Sequence, residues 1–575
     1  MFGVSLAPPV SVCLKTSVAV VYYCRCDLVL EPSLGVFMGV ESLTEESRKR
    51  YRAENAWFPI GYAAQLDHAA ESFGDKLALD DGVEHYTYSQ VVDRTRAIAH
   101  GLRELGVGAG DVVAVQSPSR AWLPLMHLAC NRIGAVYLPL SDSWRHTETE
   151  HLLRLSEAVV VCVPPDTEAF SHREMLDEIR HRLPRLRVVI SLGGGDAPTL
   201  EELAASPTTL LGVPADPEQW SFCMVTSGTT ALPKITKWTD VGLNSLLLAG
   251  FGPRIRLSPD DTALALAPAN TGATGYVFPI MAPLLIGATS VIMPKWSPDD
   301  AVRLLGSSGA TFATAIPTQM VQLLGLPGLN RDMVPKLTRF NNGGAPLAAD
   351  AAAQIEDRLG CRVHSMYGAT DGGVPVMTDV DDPDEVRLST VGRLVPGMLI
   401  RILDPMGADQ KPGEPGEIVY QGLQHTFGYL NEPDRDEEMF SDGWYHSGDV
   451  AVVDEVGYVR IVGRIKEMIL RGGQNISPRE IEDAIARHPG VAQVAVVGIP
   501  DPVMGERVCA FVVPHSVGEA PTLESIKEQM LGMRLAKWKL PERLEVIDRL
   551  PMSAGGKVVK SELKALIDTK DRWGK

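Results

Sequence analysis

Thr226-Ser227-Gly228-Thr229-Thr230-Ala231-Leu232-Pro233-Lys234 is the stretch on which the reading of this chain turns. It follows an apolar run, Phe222-Cys223-Met224-Val225, that has the composition of a buried strand. Small and hydroxyl-bearing residues in succession make a loop whose backbone N–H groups and hydroxyls can surround the oxygens of an anion, and Lys234 adds a point charge. It is not the G-x-x-x-x-G-K-[ST] loop of common nucleotide hydrolases, because Pro233 stands where that pattern needs a glycine before the lysine. On these residues alone a phosphate cradle and a Ser/Thr-rich surface loop both remain open.

Outward from the loop, helical and strand patterns alternate. Tyr88 to Leu105 carries apolar residues at helical spacing, Val112 to Gln116 reads as a buried strand, and Leu123 to Ile133 is helical again. Apolar strands follow at Val159 to Val163, Val188 to Ser191 and Ser290 to Met293, divided by breaks rich in Pro, Gly and Asp. From Leu399 to Tyr420 the texture changes to strands separated by tight turns, Asp404-Pro405-Met406-Gly407 and Pro412-Gly413-Glu414-Pro415-Gly416. Past Gly463 a compact unit is predicted, with a helix opening at Ser477-Pro478, strands around Val491 to Val497 and Val508 to Val513, and a second helix from Leu523. The predicted fold class is therefore α/β: a large N-terminal domain of layered α/β subdomains plus a β-rich subdomain, then a small α+β C-terminal domain.

A length of 575 residues suits two to four domains or subdomains. A net charge of -18, with only Arg48-Lys49-Arg50 as a basic run, argues against nucleic acid or an anionic membrane as partner. The eight cysteines are scattered without a C-x-x-C pair, which favours reduced, buried thiols and a cytoplasmic location over a metal site. Residues 1–37 include the apolar Val18 to Tyr23, too short and too interrupted for a membrane span, and read as an appended leader with Met38 as the natural start.

Five further motifs follow the loop in order. They are Asn342-Gly343-Gly344-Ala345-Pro346-Leu347, Met366-Tyr367-Gly368-Ala369-Thr370-Asp371, Gly443-Trp444-Tyr445-His446-Ser447-Gly448-Asp449, Gly463-Arg464-Ile465-Lys466-Glu467 leading to Gly472-Gly473, and Pro551-Met552-Ser553-Ala554-Gly555-Gly556-Lys557. Singly each has a plain structural reading: a turn, a capping Asp, a flexible connector or an exposed tail lysine. Together, in this order, they resemble the adenylate-forming superfamily of acyl-CoA synthetases, peptide-synthetase adenylation domains and beetle luciferases, and the likeness covers almost everything after residue 40. Departures from the superfamily pattern are Ala231 and Ile235 for the glycines flanking the loop, Asp240 where His or Asn commonly follows, and Asp371 for Glu.

The resemblance implies that Thr226, Ser227, Gly228, Thr229, Thr230 and Lys234 hold ATP phosphates, and that Gly343, Gly344 and Ala345 form the adenine turn. It implies that Tyr367 and Gly368 lie against the base, Thr370 contacts the α-phosphate, Asp371 helps hold Mg²⁺, Asp449 binds the ribose and Arg464 reaches the nucleotide. Lys557 is implied as the catalytic cation of acyl-adenylate formation, Lys466 as the pivot of a mobile C-terminal domain, and Gly472 and Gly473 as the coenzyme A path. The corresponding domains are 38–463, a hinge at 464–467, and 468–575. The acyl pocket is expected around Thr271, Gly272 and Tyr276. Relatives usually carry His at the position of Thr271, and hydroxyaryl-acid enzymes carry Asn at that of Gly272. The small residues there suggest room for a bulky acid, although a tightly packed helix start fits them too.

The texture is most similar to cyclohexanecarboxylate or medium-chain acyl-CoA ligases and 2,3-dihydroxybenzoate-AMP ligases. The expected function is an ATP-dependent carboxylic acid:CoA ligase acting on a medium-chain, alicyclic or aromatic acid. No carrier domain is read after Lys557, which favours free coenzyme A as acceptor. The alternatives are a stand-alone aryl-acid AMP ligase loading a carrier protein and a degenerate nucleotide-binding scaffold; a homodimer is left open.

Overall fold

Four sheets organise the described residues. The structure is a computed structural model and describes residues 44–573 except 196–197, 208–215, 227–231, 271, 427, 517, 519 and 553–557. The expectations placed on residues 1–37 and on Ser227, Gly228, Thr229, Thr230, Thr271 and Lys557 lie outside the described residues.

One sheet has six strands in the order Val188–Ser191, Val160–Val163, Val112–Ser117, Val136–Ser141, Trp220–Thr226 and Lys234–Thr239. Its pairs are parallel except the last, an antiparallel hairpin. Val112–Ser117 and Val136–Ser141 are buried at every position, which is why these segments read as continuous apolar runs: helices cover both faces. Trp122–Arg132 is one such helix, and Tyr88–Glu104, opened by a reciprocal cap between Thr87 and Gln90, packs against it. A nine-stranded sheet has a central parallel run of Leu77–Asp80, Thr289–Ile292, Thr262–Ala265, Phe312–Ala315, Arg339–Asn342 and Arg362–Ala369, with antiparallel strands at its edges.

The β-rich region is an antiparallel sheet built from Met398–Leu403, Gly416–Gly422, Phe440–Ser441, Trp444–Val453 and Val459–Arg464. The small C-terminal domain has its own sheet, centred on the long hairpin Val491–Asp501 with Gly505–Pro514. Alternate residues of that hairpin feed two separate apolar clusters, because successive side chains of a strand point to opposite faces. Ala510 and Val512 pack with Ile469 and Ile481 in one cluster, and Cys509 and Phe511 with Leu563 in the other.

The helix Pro478–Ile485 is capped by Ser477, whose hydroxyl accepts from the Glu480 N–H and donates to the Val462 carbonyl at 2.5 Å. Among the described residues no helix is long and apolar enough to cross a membrane. Cys130, Cys162, Cys223, Cys361 and Cys509 are all buried.

Candidate active site

Three of the expected site segments lie where parallel strands end. Ligands in open α/β sheets sit beyond the carboxyl ends of the strands. Thr226 at the end of Trp220–Thr226, the turn at 343–345 after Arg339–Asn342, and Thr370 and Asp371 after Arg362–Ala369 all occupy such ends.

Thr226 pairs with Lys234 across the hairpin, so both ends of the phosphate loop are fixed by the ladder. The Pro233 carbonyl lies 3.0 Å from His151 Nε2, and because a carbonyl only accepts, that nitrogen carries the proton. Lys234 Nζ lies 4.8 Å from the centroid of the Tyr429 ring. The Tyr429 hydroxyl donates to Asp371 Oδ2 at 2.5 Å, and Tyr445 donates to Oδ1 at 2.8 Å. Burial, reinforced by the Asp371 charge, pushes both phenols up, so they stay protonated as donors. Each Asp371 oxygen retains a lone pair. Among the described residues there is no group of three or more His, Cys, Asp or Glu able to hold a metal. A single carboxylate fits Mg²⁺, which takes one or two carboxylates and draws its other ligands from phosphate and water.

Asp449 and Arg464 face each other across adjacent strands. Asp449 Oδ1 accepts from Arg464 Nε at 3.1 Å and Oδ2 from the Tyr367 hydroxyl at 2.7 Å. Three predicted nucleotide residues thus form one hydrogen-bonded group. Thr370 is half-buried, and its carbonyl receives a long 3.5 Å contact from Thr236. Gly368 admits no side chain, since a Cβ would lie 2.2 Å from the Gly373 carbonyl. At the adenine turn a Cβ on Gly343 would meet Thr274 Oγ1 at 2.9 Å, while the Asn342 amide reaches the Ala345 carbonyl at 3.5 Å. Gly344 has φ +85°, a conformation that favours glycine.

In the expected acyl region, Gly272 has φ +127° with open space at its Cβ position. Three residues on, a Cβ on Gly275 would lie 2.1 Å from the Pro268 carbonyl, so close packing explains that glycine. Tyr276 is buried at 1% exposure, its hydroxyl 3.0 Å from Nδ1 of His127. Burial lowers His127 to about 3, leaving it neutral among Tyr62, Tyr137 and Phe222. On the C-terminal side, Lys466 is exposed in the turn Ile465–Glu467, and Gly472 and Gly473 form the tip of a hairpin with φ +56° and +81°.

Sequence reasoning gives no role to Tyr429, Tyr445 or His151. Tyr445 lies inside a quoted motif, but no periodicity or spacing links it or Tyr429 to Asp371. Asp240, noted only as a departure, is a buried staple: it accepts from the Tyr62 N–H at 3.1 Å, Asn131 Nδ2 at 2.6 Å and Ser221 Oγ at 2.6 Å.

Residues 66–430 match the AMP-binding enzyme family and 480–557 the AMP-binding enzyme C-terminal domain. The chain is 30% identical over 532 residues to the medium-chain fatty-acid–CoA ligase of Escherichia coli (strain K12), covering 91% of this chain and 93% of that one. It is 29% identical over 535 residues to the 2,3-dihydroxybenzoate-AMP ligase of Bacillus subtilis (strain 168), covering 92% and 97%. The crystal structure of ATP-bound MatB from Rhodopseudomonas palustris superposes with a TM-score of 0.80 at 28% identity, covering 88% and 98%. The chain belongs to the AMP-binding enzyme family. It is an ATP-dependent ligase of the adenylate-forming superfamily.

Proposed function

We propose that the enzyme is a carboxylic acid:CoA ligase, acting on a medium-chain, alicyclic or aromatic acid in the cytoplasm. The observation that carries the reading is the pair of linked groups, Lys234 and Asp371 joined through Tyr429 and Tyr367, Asp449 and Arg464 joined by hydrogen bonds, in a chain similar along its length to a fatty-acid–CoA ligase.

A carboxylate attacking the α-phosphate of ATP meets charge repulsion and must be aligned. In this reading the loop from Thr226 to Lys234 holds the phosphates, Asp449 and Arg464 hold the ribose side of the nucleotide, and Tyr367 lies against the base. Lys557 stabilises charge developing between the acid and the α-phosphate, and pyrophosphate leaves. Mg²⁺ bound with Asp371 would neutralise phosphate charge. The acyl-adenylate then needs a thiol, brought past Gly472 and Gly473 after the C-terminal domain turns about Lys466.

Acid-dependent exchange of labelled pyrophosphate into ATP, run across aliphatic, alicyclic and aromatic acids, tests the first step. No exchange with any acid would count for a non-catalytic scaffold. The likeness to the 2,3-dihydroxybenzoate-AMP ligase supports a second reading, transfer to a carrier protein. Thioester formation with coenzyme A against a phosphopantetheinyl carrier separates the two.

A further inference from the structure

Resting on the adenylation chemistry proposed above, we infer that Tyr429 is a positioning residue for the first step, setting the Asp371 carboxylate against the phosphate-loop lysine. One side chain makes both contacts: its hydroxyl donates to Asp371 at 2.5 Å and its ring faces Lys234 Nζ at 4.8 Å.

The backbone around Tyr429 is fixed on both sides. Tyr429 bridges Thr236, Leu430 N–H donates to the Ile235 carbonyl at 2.8 Å, and Lys237 N–H donates to the Gly428 carbonyl at 3.1 Å. The Tyr429 N–H donates to Asp436 at 2.7 Å, and a Cβ on Gly428 would meet that carboxylate at 2.6 Å. The strand that carries Lys234 therefore also holds in place the ring that reaches Asp371. Aspartate is one methylene shorter than the glutamate of the superfamily motif, and the phenols of Tyr429 and Tyr445 fix both of its oxygens. A tyrosine that only filled space would need neither contact.

The full chain and its Tyr429→Phe, Tyr429→Leu, Asp371→Asn and Tyr429→Phe/Asp371→Asn variants are titrated calorimetrically with a non-hydrolysable ATP analogue, in Mg²⁺ and in EDTA. Tyr429→Phe, which keeps the ring, is expected to weaken binding about tenfold in Mg²⁺ and less than about twofold in EDTA. In the Asp371→Asn background the same change should add less than about twofold. Tyr429→Leu should lose a further factor of about five under both conditions, from the ring over the lysine. Equal weakening with and without Mg²⁺, or additive losses in the double variant, would overturn the proposal. If Tyr429→Phe melts at a lower temperature than the parent, Tyr445→Phe is read by the same two criteria. Pyrophosphate exchange by the parent chain is measured alongside: no exchange removes the adenylation reading and this inference with it, whereas exchange with a Mg²⁺-independent Tyr429→Phe effect removes this inference alone.

Discussion

Replacing Asp240 tests the buried staple directly. Its Oδ2 accepts from the Tyr62 N–H and Asn131 Nδ2, and its Oδ1 from Ser221 Oγ. In Asp240→Asn an amide oxygen in the Oδ2 place keeps two donors, and the NH₂ in the Oδ1 place donates to the Ser221 oxygen, whose proton can turn away. All contacts survive and a buried charge is gone, so stability at pH 7 should stay within about 1 kcal/mol of the parent or rise. Asp240→Ala instead strands three donors, the Tyr62 N–H, Asn131 Nδ2 and Ser221 Oγ, on residues 0%, 3% and 4% exposed. At about 1–3 kcal/mol per stranded group, plus the cavity, the loss should be at least about 3–5 kcal/mol, a fall of roughly 5 °C or more in melting temperature.

The pH dependence has a definite sign. Burial pushes the Asp240 carboxyl up, against the pull of Ser221, Asn131 and the Tyr62 N–H. A folded-state value above the unfolded one gives stability that is present below about pH 3.9 and lost as pH rises through the raised value. The melting temperature of Asp240→Asn relative to the parent should therefore climb from pH 4 to pH 8. Scanning fluorimetry on the three proteins measures both effects. The reasoning fails if Asn is as damaging as Ala, or if the parent gains on Asp240→Asn as pH rises.

Lys557→Ala should lower pyrophosphate exchange at least about a hundredfold while a supplied acyl-adenylate still reacts with thiol; equal loss of both steps in a folded variant would contradict its assigned role. Asp449→Asn, which weakens the charged pair with Arg464 and the acceptor for ribose, should raise the KM for ATP about tenfold with a smaller change in kcat, read from steady-state kinetics. Gly275→Ala forces a Cβ to within 2.1 Å of the Pro268 carbonyl, and should lower the melting temperature by several degrees or prevent soluble expression.

The helices and strands were largely legible because periodicity reports burial. Tyr88 to Leu105, Val112 to Gln116 and Ser477 to the following helix all appear within a residue or two of their expected bounds. The small residues at 272–276 were ambiguous in sequence, and the structure divides them: Gly272 faces open space, Gly275 is tightly packed and Tyr276 joins a buried aromatic group. Asp240 looked like a loss of pattern and is a satisfied buried carboxylate.

The sequence by itself determined the family chemistry, since ordered motifs need only their residues to be read. It also determined the alternation of elements, because local apolar spacing encodes which faces are buried. Only the tertiary structure decided that Asp371 is held by Tyr429 and Tyr445, residues 58 and 74 positions away, and that Lys234 shares Tyr429 with it. Such contacts depend on how strands from different sheets meet, and no local pattern along the chain records them.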